Sequence, residues 1–363
     1  QHKDWSTEFA GWSGAGGDSP ENFVRALFAE LDALAVARAN GEIPLGPTGA
    51  PIANVYVTAE GQDLKQLIEK FLLMAVNYSQ GTDDYLDNDL EDHGINSQNT
   101  EPGKEGAVYT SLEHIWDEGF GYFGAARDYA DYTDDEAAGK GGRDGWKNGY
   151  NDANEDGSID VRSEFNLGIS QNCAKRDRKD LDGDGVGETD MSKEAFDAFI
   201  LGRHVLSDAT NAGSITDAQL AVVKAQAEIA GKAMEKCVAA TAVHYINDVL
   251  ADMADFDTTN NVFADTDNFK DLAKHWGEMK GFALGLQFSP WSPFAADKTE
   301  RDKLKTILSD MGVGPVLADG SQGGVAPTGT AAEAIAAYKT KLEAARATMA
   351  AAYGFSDELA AAW

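Results

Sequence analysis

Hydrophobic positions recur at helical spacing along most of the chain. Phe23, Leu27, Leu31 and Leu34 follow Asp18-Ser19-Pro20-Glu21, a start signal with Pro in the first turn, and predict a helix over residues 20–39. Residues 40–60, broken by Gly and Pro, read as a loop. A second helix is expected at 63–78, with Leu64, Leu67, Ile68, Phe71 and Ala75 on one face. The same reasoning predicts helices at 112–129, 192–206, 216–253, 267–287, 298–310 and 330–352. Between 130 and 190 the periodicity fades and Gly and Asp take over. Strand alternation is nearly absent, apart from Val55-Tyr56-Val57. The pattern is that of an all-α chain with one irregular insertion.

Two short segments recur in the same order. Ala75-Val76-Asn77-Tyr78 matches Ala242-Val243-His244-Tyr245. Trp116-Asp117-Glu118-Gly119-Phe120-Gly121-Tyr122 follows the first, and Trp276-Gly277-Glu278-Met279-Lys280-Gly281-Phe282 follows the second at a similar separation. The reading is two duplicated helical bundles, 1–130 and 192–363, around a Gly/Asp-rich insertion at 131–191. The alternative is two unrelated helical segments that share common residues.

Charge narrows the partners. The 363 residues carry 61 acidic and 30 basic side chains, a net charge of −31. Such a chain repels phosphate backbones and anionic lipid headgroups, so nucleic acid and peripheral membrane binding are not expected. No apolar run approaches the roughly 20 residues of a bilayer span, and no transmembrane segment or signal peptide is expected; the sequence starts at Gln1, as a processed product would. A hydrophobic share of 43% is that of a folded protein, so disorder does not account for the charge. The acid is concentrated: the segment 131–190 has 16 acidic residues against eight basic, and 82–101 has seven against none. The second segment would either hold a further cation or keep the protein soluble. Cys173 and Cys237 pair in an oxidising compartment or stay reduced in the cytosol; composition leaves both open.

The insertion holds the most specific signal. Asp152, Asn154, Asp156, Ser158 and Asp160 take positions 1, 3, 5, 7 and 9 of an EF-hand-type calcium loop, with Gly157 at the sharp turn and Ile159 as the apolar anchor. Ser163 stands at position 12, and Glu164 follows one residue late. A second loop places Asp180, Asp182 and Asp184 at positions 1, 3 and 5, Gly185 at 6 and the Val186 carbonyl at 7, with Glu188 and Asp190 as the remaining oxygen donors and Met191 at 12. Alternating carboxylates on a tight turn repel one another unless a cation lies between them. Structural calcium is therefore expected, folding a segment too poor in apolar residues to fold itself. A fixed calcium site in turn points to a calcium-rich compartment outside the cytoplasm.

The segment Glu113-His114-Ile115-Trp116-Asp117-Glu118-Gly119-Phe120-Gly121-Tyr122-Phe123-Gly124 has three glycines, each weakening a helix by about 1 kcal/mol, which points to close backbone approach, a bend or a helix end. This stretch, with Ile159-Asp160-x-x-x-Glu164-Phe165-Asn166 and Ala174-Lys175-Arg176-Asp177, resembles the bacterial family described as domain of unknown function 4856, of the imelysin-like group. The resemblance implies an exported or surface-anchored protein of two helical bundles, a possible lipid anchor, and a role in iron or other metal acquisition with an outer-membrane uptake receptor. It also implies a His/Glu pair three residues apart, matched by His275 and Glu278, with His114, Glu118 and His244 as further candidates for a site holding iron or zinc. The plainer reading makes the two Glu helix braces and the Trp residues core. An imelysin-type metallopeptidase is one alternative function; a surface polysaccharide- or protein-interaction module with structural calcium only is another. No His-Glu-x-x-His zinc motif, Gly-x-Ser-x-Gly elbow or strand-led phosphate loop is present, so the chain is read as more a binding protein than an enzyme.

Overall fold

The computed structural model describes residues 9–88 and 91–363. Eleven α-helices are found among them: α1 Pro20–Ala39, α2 Leu64–Leu72, α3 Ser111–Phe123, α4 Asp134–Ala137, α5 Gly168–Asp177, α6 Met191–Ala212, α7 Asp217–Asp252, α8 Thr266–Gly285, α9 Lys298–Asp310, α10 Ala331–Tyr353 and α11 Asp357–Ala362. The described residues form isolated bridges but no strand; Val57 pairs singly with Asp63 where the alternation lies.

Local chemistry sets most boundaries. The Ser19 side chain accepts the Asn22 N–H at the start of α1, and Asp63 does the same for Gln66 at α2. Thr110 and Glu113 form a reciprocal capping box on α3. That helix ends at Phe123, six residues before the expected boundary, because Gly124 turns left-handed at φ 81°. The expected helix at 63–78 is α2 followed by a π-helical turn, Leu73–Tyr78, with another at Gly81–Tyr85. Of the glycines in the α3 signature, Gly119 is the close approach: a Cβ there would lie 2.9 Å from Leu86. Helices α4, α5 and α11 were not expected; α5 is short and carries few apolar residues among its polar ones.

The chain divides into two compact units. One comprises the described residues up to Met74 with Ala239–Gln287 and Pro293–Trp363. Here α8 packs along α2 and is buried without a break from Trp276 to Gly285. Phe23 sits among Phe9, Trp12 and Phe71, with ring centroids 4.7–5.5 Å away. Lys280 is fully buried, its Nζ donating to the carbonyls of Gly11 (2.7 Å) and Leu308 (2.5 Å), and burial pushes the ammonium down to about 7.

The other unit is Ala75–Val238 with Phe288–Ser292, and the whole of 131–191 lies in it. Its core gathers Trp116, Phe123 and Phe199, all at most 1% exposed, and Trp116 donates its indole N–H to the Phe199 carbonyl at 2.9 Å. Cys173 of α5 and Cys237 of α7 form a disulfide, which decides the pairing that composition left open. Closing 64 residues, it contributes about 4 kcal/mol in the chain-entropy account.

Candidate metal-binding sites

The two acidic loops share one turn. In the first, Asp152 accepts the N–H groups of Asp156 (3.1 Å) and Gly157 (2.8 Å), Asn154 accepts that of Asp156 (3.0 Å), and Asp156 that of Ser158 (2.8 Å). In the second, Asp180 accepts from Gly183 (2.7 Å) and Gly185 (2.9 Å), Asp182 from Asp184 (3.1 Å), and Asp184 from Val186 (2.8 Å). Position 6 accordingly bonds to 1, position 5 to 3, and position 7 to 5 in both. Gly157 and Gly185 supply the left-handed backbone at φ 82° and 86°.

Closure differs. Glu164, 4% exposed, accepts the N–H groups of Ala153 (3.1 Å) and Asn154 (3.3 Å) on one oxygen and of Asp160 (2.9 Å) on the other. Asp160 is further engaged by Arg162, whose guanidinium holds this carboxyl below the usual range. In the second loop Glu188 accepts the Leu181 N–H at 3.2 Å, and Asp180, Asp182 and Glu188 each bring a carboxylate oxygen within 4.8 Å of the others. The N–H groups of Gly185 and Gly183 hold the Asp180 carboxyl below its usual range. Asp190 precedes α6 and is exposed. The all-oxygen donor set of either loop suits a hard divalent cation.

Sequence reasoning passed over Asp177 as an anchor. This buried carboxylate accepts from Thr189 Oγ1 (2.7 Å), Met191 N–H (3.0 Å) and Ser192 N–H (2.7 Å), tying the second loop to the start of α6. Asp89 of the 82–101 segment lies outside the described residues; Asp83 and Asp87 of that segment are buried.

The helical candidates separate. His114 and Glu118 are described with the unit that holds the loops: their side chains meet at 2.9 Å on an exposed face of α3, with the Tyr109 ring stacked on the imidazole. The Tyr85 hydroxyl also bonds to Glu118, which raises its phenol. His244, His275 and Glu278 belong to the other unit. There Glu278 Oε1 accepts the Tyr245 hydroxyl at 2.9 Å, and the ammoniums of Lys70 and Lys274 stand 4.0 and 3.9 Å away. The Tyr245 bond joins α7 to α8 at Glu278. His275 turns elsewhere: its Nδ1 meets Asp252 at 2.8 Å and its Nε2 is 3.9 Å from Asp248 Oδ2. His244 Nε2 is 3.3 Å from the same Asp248 oxygen. Burial disfavours the charged imidazole of His275, but Asp252 and Asp248 outweigh it and raise its pKa. Asp248 and Asp252 were not singled out from sequence, although they stand four and eight residues after His244 in one helix, a same-face spacing.

No curated protein and no solved structure matches the chain. Residues 21–168, which include the α3 signature and the first acidic loop, match the model of the family described as Domain of unknown function (DUF4856).

Proposed function

We propose that the chain is an extracytoplasmic, calcium-stabilised helical binding protein whose task is to capture a metal ion or metal complex at the cell surface. The observation that carries the calcium part is the recurrence of three turn bonds at the same positions of both loops, with three carboxylates drawn together in the second. Carboxylates held this close cost free energy unless a cation offsets their repulsion. The Cys173–Cys237 disulfide supports an oxidising compartment, where calcium is also plentiful. Metal capture, iron included, rests on the imelysin-like resemblance. The proposed duplication has support in two equivalent tryptophans: Trp116 donates to the Phe199 carbonyl, and Trp276 donates to the Met311 carbonyl at 3.1 Å.

Calorimetric titration of chelator-treated protein with calcium tests the reading, together with melting curves in calcium and in chelator. Two binding events and a melting temperature several degrees higher in calcium are expected. A melt indifferent to chelator, with no heat of calcium binding, removes the calcium reading.

A further inference from the structure

We propose that His244, Asp248 and His275 form a binding site for one divalent first-row transition-metal ion, with Asp252 as the positioning residue for His275. Helix α7 sets His244, Asp248 and Asp252 at intervals of four on one face, and α8 brings His275 against them. The two Nε2 atoms lie 3.3 and 3.9 Å from one carboxylate oxygen, Asp248 Oδ2. Donors bound to one ion at about 2.1 Å, at tetrahedral or octahedral angles, stand roughly 3–3.5 Å apart; Asp248 is the shared centre, and the two imidazoles have to swing toward each other about it to close a coordination sphere.

The contact to Asp252 supplies the orientation. In the neutral ring that a metal ion requires, donation of the His275 Nδ1–H to this carboxylate (2.8 Å) leaves the Nε2 lone pair on the side of Asp248. Asp252 and His275 are 13% and 19% exposed, while His244 and Asp248 are 25% and 31% exposed, so the positioning pair lies deeper than the other two. Two imidazoles and one carboxylate select a transition metal over calcium or magnesium, the opposite preference to the all-oxygen loops. Glu278 stays outside the set because two ammoniums flank it.

The site's biological use rests on the metal-capture reading; its chemistry does not. The test is a Co(II) titration of calcium-saturated, disulfide-intact protein, followed by visible absorption and calorimetry, with Zn(II) competition. One Co(II) per chain is expected. The His244→Ala/His275→Ala double variant should abolish binding, and Asp252→Asn should weaken it about 10- to 100-fold. Glu278→Gln should leave it unchanged, and a native-like melt certifies each variant. Undiminished Co(II) binding in a folded double variant overturns this ligand set and leaves metal capture standing. Wild-type protein that takes up neither Co(II) nor Zn(II), yet retains a ferric chelate, also loses the site and keeps the capture reading. Protein that binds none of these loses both.

Discussion

The two acidic loops are alike for seven positions and different after that. Both turns are made by side chains bonding to backbone N–H groups two to five residues on, around a left-handed glycine. The first loop is then closed from inside the fold. Glu164 is buried under it, and its two flanks pair through the Tyr150–Phe165 bridge, with rings stacked at 5.4 Å. The second is closed near the surface by Glu188, and its position 8 is Gly187, where a Cβ would lie 1.7 Å from the Asp177 carbonyl oxygen. Protein groups already occupy much of the first loop's ligand capacity: Glu164 accepts three N–H bonds and Asp160 is engaged by Arg162. The second keeps three converging carboxylates. On the proposed calcium reading, the first is therefore the loop expected to fold without metal, and the second the one expected to need it.

The largest expected effect is at Glu164. Replacing it by Ala removes the buried acceptor of three part-buried N–H donors, a loss of about 2–4 kcal/mol. Denaturant unfolding in chelator measures it, with Glu188→Ala alongside as the milder change. Equal losses at the two glutamates would break the contrast. Next come Gly157→Ala and Gly185→Ala, each forcing a Cβ into the left-handed region at about 1–2 kcal/mol. Open space surrounds both positions, so backbone strain alone sets the cost and the two values should agree.

Calcium affinity sharpens the comparison further. Ligand charge tunes such loops. The second loop should bind tighter, and exchanging the position-3 residues should narrow the gap: Asn154→Asp strengthens the first loop and Asp182→Asn weakens the second, each several-fold by calorimetry. A first loop that binds tighter than the second would reverse the assignment of roles.

How much of this was legible in the sequence follows the range of each interaction. Bonds from Asp152 or Asp180 to the next turn are local, so spacing alone exposed them. The groups that finish each site come from farther away or from a different register. Asp177 reaches across to residues 189–192, and Glu164 closes its loop from beyond the usual position 12. The disulfide joins residues 64 apart, and no spacing rule specifies it. Long amphipathic helices such as α1, α9 and α10 were legible to within a residue or two, whereas α5 hid in a polar segment. The His-x-x-Glu spacing at 275–278 is real on the helix, but the neighbours of each residue set its partner: ammoniums and a phenol for Glu278, aspartates for His275.

The smallest effect is a pH dependence at the foot of the second loop. Two of the three acids in helix α4 have opposite fates. Glu136 is bonded by Arg143 and held down to about 2, so its stabilisation is present above its unfolded value near 4.5 and is lost as pH falls towards 2. Asp134 is pushed up to about 7 by burial and by the nearby carboxylates of Asp177 and Asp190. Its unfolded value is near 4, so between pH 4 and 7 the folded state holds the proton and the unfolded state does not. Stability then declines as pH rises through that window. Partial exposure screens the effect, leaving a fall in melting temperature of roughly a degree or two between pH 4.5 and 7. The isosteric Asp134→Asn variant should flatten the profile in chelator. Calcium should flatten it in the wild type, because a cation in the second loop offsets the field of Asp190 that helps raise Asp134. A profile that calcium leaves unchanged would separate this acidic knot from the second loop and remove its share in the contrast with the first.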